Sequence, residues 1–308
     1  MRQVLVTGAA GFLGINLVAE LRRRGFAVIA VDDGSAGTWE RLSAFRDDSN
    51  VSVHRIDITD WPALYSTYRN HRPWSIVHLA ARHFIPDCQS HPERAWHTNV
   101  TGTAHLLALA ALTQPARFLL ASTADVYATS DKPHRETDDI DPRTVYGRTK
   151  QLCEAMVLRA AQPKAEIIFL ITRLFNLYGP NTTVDHLIPA VARQAIASNQ
   201  IAAGNLDTIR DYVFVADAAA ALTELLDSPA CGIVNIGTGR GSSGNEIIAH
   251  TGRVLARDLV INHDPTRVRP HDRPHLVADP QRLKSILTWW PATSIDNGIA
   301  ATIAATTV

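Results

Sequence analysis

Cysteine is scarce. Cys88, Cys153 and Cys231 stand far apart in a chain of 308 residues. An odd number of thiols at wide spacing supports neither a disulfide framework nor a thiolate metal site. An excess of either charge is missing too. Thirty Lys and Arg face thirty Asp and Glu, so no global field recruits nucleic acid or an acidic membrane, and any anion site has to be local. No apolar run approaches the ~18 residues that span a bilayer. The N-terminus reads as a strand from Gln3 onward, without the layout of a signal peptide, and a cytoplasmic protein is expected. No internal repeat is visible. The rest is globular in composition, 46% hydrophobic and 19% charged, which suits a nucleotide-binding domain with a smaller companion.

The first 175 residues alternate two kinds of segment. Short apolar runs occur at VLVTG (4–8), AVIAVDD (27–33), VSVHRIDI (51–58), SIVHLAA (75–81), RFLLAS (117–122) and IIFLITR (167–173). Between them lie stretches with helical spacing, such as Leu13, Leu17, Val18 and Leu21. Fully apolar strands alternating with amphipathic helices predict an α/β fold, a doubly wound parallel sheet covered on both faces. After Phe175 the pattern loosens and prolines punctuate it, although GIVNIG (232–237) and DAAAALTELL (217–226) return to the sheet pattern. Residues 1–176 plus 208–238 are therefore expected to form a Rossmann-type domain, and 177–207 plus 239–308 a smaller interleaved substrate domain. The Ala-rich tail (298–308) reads as a fraying helix.

TGAAGFLG (7–14) joins the first strand to the first helix, with Gly8, Gly11 and Gly14 spaced three apart. Glycine permits a tight turn and close approach to a pyrophosphate, and the helix N-terminus offers free N–H groups to the anion. Gly8, Gly11, Phe12, Leu13 and Gly14 are the expected contacts. The second strand ends at Asp32, 18 residues beyond Gly14. A carboxylate there accepts hydrogen bonds from ribose hydroxyls and repels a 2′-phosphate. Asp33 adds negative charge, and no Arg or Lys follows until Arg41, so NAD is favoured over NADP.

Tyr146 and Lys150, in VYGRTK (145–150), lie one turn apart on a helix face. A phenol is a poor base at its reference pKa of about 10, and a neighbouring ammonium and an oxidised nicotinamide both favour the phenolate. Ser122 and Thr123 end the fifth strand, at the carboxyl edge where doubly wound sheets bind ligands. His271 and His275 lie in a Pro-rich stretch without a Cys or carboxylate at ligand spacing, and no metal is expected.

TGAAGFLG (7–14), DI (57–58), HLAA (78–81), NVTGT (99–103), STADVY (122–127), YGRTK (146–150), RLFNLYGP (173–180), RDYVFV (210–215), NIGTG (235–239) and RPHD (269–272) occur in order along the chain. In these segments the sequence resembles the nucleotide-sugar epimerases and dehydratases of the extended short-chain dehydrogenase/reductase family. The resemblance implies that Thr123, Tyr146 and Lys150 are catalytic, with Ser122 beside the nicotinamide. It implies that Asp57 and Ile58 flank the adenine, that Leu79, Ala80 and Ala81 line the cofactor groove, and that Asn99 supports the active site. Phe175 and Asn176 are implied between cofactor and substrate, Leu187 in the HLIP segment (186–189) beside the substrate, and Arg210 and Arg269 on the nucleotide diphosphate, where guanidinium forks suit phosphate oxygens. By position, HFIPDC (83–88) faces the sugar, so His83 and Cys88 can tune specificity. Packing or a simple polar contact is the plainer reading of both.

Departures from the family narrow the reaction. Where its 4,6-dehydratases carry an Asp-Glu pair after the Thr, this chain has Ala124 and Asp125. Asp125 stands in the slot that decarboxylases fill with Glu, one methylene shorter. The loop before HLIP is short, as in compact epimerases. The expectation is a nucleotide-diphospho-sugar 4-epimerase acting on a UDP- or dTDP-linked sugar through a transient 4-keto sugar, with Tyr146 taking the 4-hydroxyl proton. Decarboxylase, dehydratase and 4-ketoreductase chemistry on the same scaffold are the alternatives, and a silent dinucleotide sensor is a further one. Apolar stripes on the helices near Glu93 and Tyr146 suggest a homodimer. Trp289 and Trp290 are expected to pack the small domain.

Overall fold

The computed structural model describes residues 1–35, 39–161, 166–182, 184, 186–268, 272–288 and 293–306. In chain order the elements are β1 (Gln3–Thr7), α1 (Phe12–Arg23), β2 (Ala27–Asp32), β3 (Val51–Arg55), α2 (Trp61–His71), β4 (Ser75–His78), α3 (Ile85–Ser90), α4 (Pro92–Trp96), α5 (Gly102–Thr113), β5 (Arg117–Thr123), α6 (Val145–Ala160), β6 (Ile168–Leu174) and β7 (Asn176–Tyr178). They continue with α7 (Leu187–Ala197), β8 (Gln200–Ala203), β9 (Ile209–Phe214), α8 (Val215–Asp227), β10 (Gly232–Ile236), β11 (Gly241–Ser243), α9 (Gly244–Leu255), β12 (Val260–His263), β13 (His275–Leu276), α10 (Gln281–Ile286) and α11 (Ile295–Thr306). Among the described residues no helix is long and apolar enough to cross a membrane.

The apolar runs become strands because both faces of the sheet are covered. Leu5, Ile29, Ile76 and Phe118 face one cluster together with Leu64 of α2, Leu106 of α5 and Val157 of α6, all essentially fully buried. Each such side chain contributes on the order of 1.5–3 kcal/mol by burial. The sheet order is β10-β6-β5-β4-β1-β2-β3, and the pairings among β1 to β6 are parallel. The chain winds outward from β1 through β2 and β3, then starts again at β4 on the other side of β1. That reversal is the switch point at which doubly wound sheets hold ligands.

The chain divides into two units. The first is residues 1–128, 139–174 and 219–234, and the second 129–138, 175–218 and 235–308. The division differs from the expected boundaries at 129–138, 175–176, 208–218 and 235–238. Residues 208–218 fall in the second unit because β9 pairs there with β7, β11 and β13. His134 joins it through its backbone N–H, which donates to Val277 O at 2.8 Å. A second core forms around Tyr178, Ile188, Ile247, Ile299 and Ile303. The Ala-rich tail is therefore no fraying end: α11 packs Ile299 and Ile303 into that core. Trp289 and Trp290 lie outside the described residues.

Candidate active site

Gly8 follows β1 with φ of 71°, a left-handed conformation that favours glycine. A Cβ on Gly8 would stand 2.7 Å from Ala80 N, and one on Gly14 2.0 Å from Gly8 O. These two glycines bring β1, α1 and the end of β4 into contact. Gly11 differs. It is the N-cap of α1, makes no side-chain cap, and an added Cβ meets only Gly8 O, at 3.1 Å. The first-turn amides of α1 are thus left without a side-chain partner, which suits a pyrophosphate. Gly14→Ala is expected to destabilise the fold by about 1–3 kcal/mol through overpacking. Gly11→Ala should keep the melting temperature and weaken dinucleotide binding. Thermal melts beside NADH fluorescence titrations separate the two effects, and equal melting losses for both variants would contradict this division of labour.

Asp32 ends β2 nearly buried. Its carboxylate accepts from Gly34 N–H at 2.8 Å and Ala10 N–H at 3.0 Å. Burial raises its pKa, the two amides oppose that, and Asp33 raises it further. Asp32 thus fastens the glycine loop to the segment after β2. Asp57 is exposed and accepts from both Thr59 N–H and Thr59 hydroxyl, each at 2.8 Å. Ile58 beside it is buried. Its Cδ1 lies 2.2 Å from where a Gly102 Cβ would stand, which requires glycine in the NVTGT segment.

Thr144 caps α6. Its hydroxyl oxygen accepts from Gly147 N–H at 2.9 Å, and its proton goes to Asp125 Oδ2. Asp125 N–H donates to Thr123 Oγ1 at 3.1 Å. These bonds tie the end of β5 to the first turn of α6, which carries Tyr146. Burial dominates the Tyr146 phenol and raises its pKa; the Asp125 carboxylate adds to this, and a hydrogen bond with Thr123 opposes it. In the protein alone, burial is the largest influence on this phenol. Lys150 is itself buried, and burial lowers its pKa while Cys153 and Glu154 raise it. His83 keeps an exposed face amid crowded protein atoms. Desolvation lowers its imidazole pKa, Ala81 opposes and Lys150 assists. Cys88 is buried, points its thiol at Arg82 O at 3.4 Å, and is pushed up to about 11 by burial first. That makes it a packed thiol and not a nucleophile.

Asn99 and Ser122 each hydrogen-bond within the protein. Asn99, 1% exposed, donates to Arg82 O at 3.0 Å and Thr149 Oγ1 at 2.9 Å and accepts from Arg82 N–H at 2.8 Å. Its support of the site is therefore indirect. Ser122, also 1% exposed, gives its proton to Glu154. Leu79 and Ala80 follow Thr7 closely: Leu79 N–H donates to Thr7 O at 3.1 Å and Ala80 N–H to Thr7 Oγ1 at 3.3 Å. Ala81 lies next in line, half-buried.

The second unit carries the remaining expected residues. Phe175 is buried, 3.3 Å from the position of a Gly237 Cβ. Asn176 pairs with Tyr212 between β7 and β9. Leu187, partly buried, packs against both apolar clusters of this unit. Arg210 is nearly buried, pairs with Asp272 and donates to Ile209 O at 2.8 Å. Arg269 and His271 lie outside the described residues. His275 sits on β13, and among the described residues no group of three or more His, Cys, Asp or Glu could hold a metal ion.

Sequence reasoning missed four buried partners of this site. His78 and Thr103 lie inside quoted motifs but carried no role. Glu154 continues the Tyr146–Lys150 stripe by one more turn, and that spacing could have found it. Arg173 opens RLFNLYGP, and its guanidinium reaches Glu154 with Nε to Oε1 at 3.0 Å and a terminal nitrogen to Oε2 at 2.8 Å.

A family model described as GDP-mannose 4,6 dehydratase matches residues 5–302. The UDP-glucose 4-epimerase 4 of Oryza sativa is 28% identical over 94% of this chain and 85% of its own length. The dTDP-glucose 4,6-dehydratase of Xanthomonas campestris is 30% identical over 97% of this chain and 91% of its own. The crystal structure of UDP-glucose 4-epimerase from Brucella ovis in complex with NAD superposes with a TM-score of 0.86 at 28% identity, over 99% of this chain and 98% of that one.

Proposed function

The chain belongs to the GDP-mannose 4,6 dehydratase family of extended short-chain dehydrogenases/reductases, NAD-dependent enzymes that epimerise or dehydrate nucleotide-sugars, and from that premise we propose that it is a nucleotide-diphospho-sugar 4-epimerase. The observation that carries this reading is at the end of β5. A 4,6-dehydratase needs a free acid to protonate a leaving hydroxyl and a base for the C5 proton. Here the first slot is Ala124, which is buried, and the second is Asp125, whose carboxylate takes the Thr144 proton at the cap of α6. The similarity to the UDP-glucose 4-epimerases, over nearly the whole chain, supports the same reading.

NAD, when bound, serves as acceptor and donor of the hydrogen at C4. Gly8, Gly11 and the first turn of α1 would hold its pyrophosphate, Asp32 its adenosine ribose, and Ile58 the adenine. Tyr146 takes the 4-hydroxyl proton at its phenolic oxygen and returns it after the 4-keto sugar has turned over. Thr123 holds the substrate oxygen from the end of β5, and Lys150 supplies positive charge under the phenol. Arg210 holds the nucleotide diphosphate of a UDP- or dTDP-linked sugar, steadied by Asp272, together with Arg269. Leu112 on α5 and Leu152 and Leu158 on α6 are exposed apolar side chains; their cover is a second copy of the chain, making the enzyme a homodimer. A cytoplasmic setting supplies both NAD and nucleotide-sugars.

The test is incubation of the pure protein with UDP- and dTDP-hexoses and hexuronic acids, without added cofactor. Mass spectrometry and proton NMR should show a product of unchanged mass and inverted C4. Loss of water or carbon dioxide would overturn the epimerase reading and return Asp125 to acid–base duty. No turnover of these donors, with reduction of a nucleotide-linked 4-keto sugar on addition of NADH, would identify a 4-ketoreductase.

A further inference from the structure

A chain of buried side chains runs beneath the glycine loop and ends on the catalytic helix. His78, the last residue of β4, is fully buried. Parallel pairing of β1 with β4 places it opposite Thr7, the residue immediately before Gly8. Its Nδ1 lies 2.8 Å from Thr7 Oγ1 and its Nε2 3.0 Å from Thr103 Oγ1. Thr103 Oγ1 lies 2.6 Å from the carbonyl oxygen of Asn99. Cys153 of α6 also points its thiol at that carbonyl, at 3.2 Å. Asn99 sits in a π-helical turn, His97–Thr101, a distortion of the kind that re-aims side chains at functional sites. Its own side chain reaches Thr149 on α6 at 2.9 Å, and Thr149 donates to the backbone carbonyl of Tyr146 at 2.7 Å.

The directions of these bonds fix the histidine. A carbonyl oxygen 2.6 Å from a hydroxyl oxygen requires the hydroxyl proton between them, since two acceptors would repel at that distance. Thr103 therefore spends its only proton on Asn99 and must accept from His78. His78 accordingly carries its proton on Nε2, and Nδ1 accepts the Thr7 proton. Thr7 in turn accepts from Ala80 N–H at 3.3 Å. The steps from Ala80 through Thr7, His78, Thr103 and Asn99 to Thr149 run the same way, and Thr103 Oγ1 also lies 3.3 Å from Cys153 Sγ. A second ring proton would face the Thr7 donor and break the series. Burial, foremost, and the charge of Lys150 from α6 also hold the ring neutral. Cys153 is the other titratable group of α6 on this chain.

We propose that His78 is a positioning residue: as a neutral Nε2–H imidazole it joins the strand that delivers the glycine loop to the π-helical turn that sets Asn99, Thr149 and thereby Tyr146. The role rests on the NAD-dependent reading above for its kinetic consequence, but the tautomer stands without it. Thr103 and Thr149 act in the same series. Their hydroxyls serve as relays of orientation and exchange no proton with substrate.

The experiment combines nitrogen-15 histidine NMR of the full chain with NADH titration and kinetics. The His78 signals, identified by their loss in His78→Gln, should show a protonated Nε2 and a bare Nδ1, unchanged as pH passes through the usual imidazole pKa of about 6.5. Thr103→Val, nearly isosteric, should disturb that signature, weaken NADH binding and lower kcat each by on the order of tenfold, as expected for one or two lost buried hydrogen bonds. KM for the nucleotide-sugar should stay within about twofold, the pattern of an interaction that matters in the transition state. His78→Gln, which still donates and accepts, should recover most of the loss seen in His78→Phe. An imidazolium titrating near its ordinary pKa, a proton on Nδ1, or a Thr103→Val enzyme with unaltered affinity and kcat overturns the proposal. If the wild type shows the predicted tautomer and NADH effects yet epimerises no sugar, the epimerase reading falls and this one stands. If it binds no NADH, both fall.

Discussion

Tyr146→Phe should fold, bind NADH and lose about 100- to 10,000-fold in kcat, the range of a single general acid–base group. The substitution deletes one oxygen from a side chain whose ring is packed at the first turn of α6, so the apolar contacts survive. What disappears is the atom that holds the 4-hydroxyl proton. Thr123 can still position the substrate oxygen, but it cannot replace the base: an ordinary hydroxyl is far more basic when ionised than a phenol and stays protonated. Single-turnover conversion of a nucleotide-sugar, read by product NMR, checks the rate. NADH fluorescence checks that the dinucleotide site is intact. Turnover within tenfold of wild type would remove Tyr146 from the chemistry.

The sequence disclosed the sheet more readily than the groups beneath the site. Runs such as VLVTG (4–8) and RFLLAS (117–122) announce buried parallel strands by being apolar at every position, because helices cover both faces. The glycine loop and Tyr146 with Lys150 are legible because their geometry is local: three glycines in one turn, two side chains on one helix face. His78, Thr103, Glu154 and Arg173 are illegible for the opposite reason. The role of His78 depends on Thr7, 71 residues away, brought opposite by strand register, and Glu154 finds Arg173 and Ser122 only once α6 lies across β5 and β6. The short strands β7, β11 and β13, of two or three residues, have too little pattern to read. They nevertheless gather β9 into the second unit and so decide the boundary at 208–218. Asp125 has a relation that its motif does not show: its carboxylate accepts the Thr144 proton at the cap of α6.

Arg173→Met should cost about 3–5 kcal/mol of stability, the largest folding effect of any single substitution considered. Arg173 and Glu154 are each 3% exposed at the side chain, and the guanidinium holds the carboxylate with both ends of its fork. Removing the cation leaves a buried carboxylate with the Ser122 hydroxyl as a hydrogen-bond donor and the charge of Lys150 nearby, and one hydroxyl donor to a charged group offsets only about 1.5–3 kcal/mol of that cost. The stacking of Arg173 over the Tyr127 ring, 4.6 Å from the centroid, is lost as well, which adds about 1–2 kcal/mol at a desolvated site. The double variant Arg173→Met with Glu154→Leu provides the decisive comparison. A buried ion pair repays its desolvation so narrowly that an apolar replacement of both partners is often neutral. Urea unfolding should therefore place the double variant within about 1–2 kcal/mol of wild type, well above the single one. If both variants lost the same stability, the cost would lie in packing around α6 and β6 and not in the stranded charge. If neither lost any, water would have to reach Glu154, and the pair could not be what presses α6 onto β5 and β6.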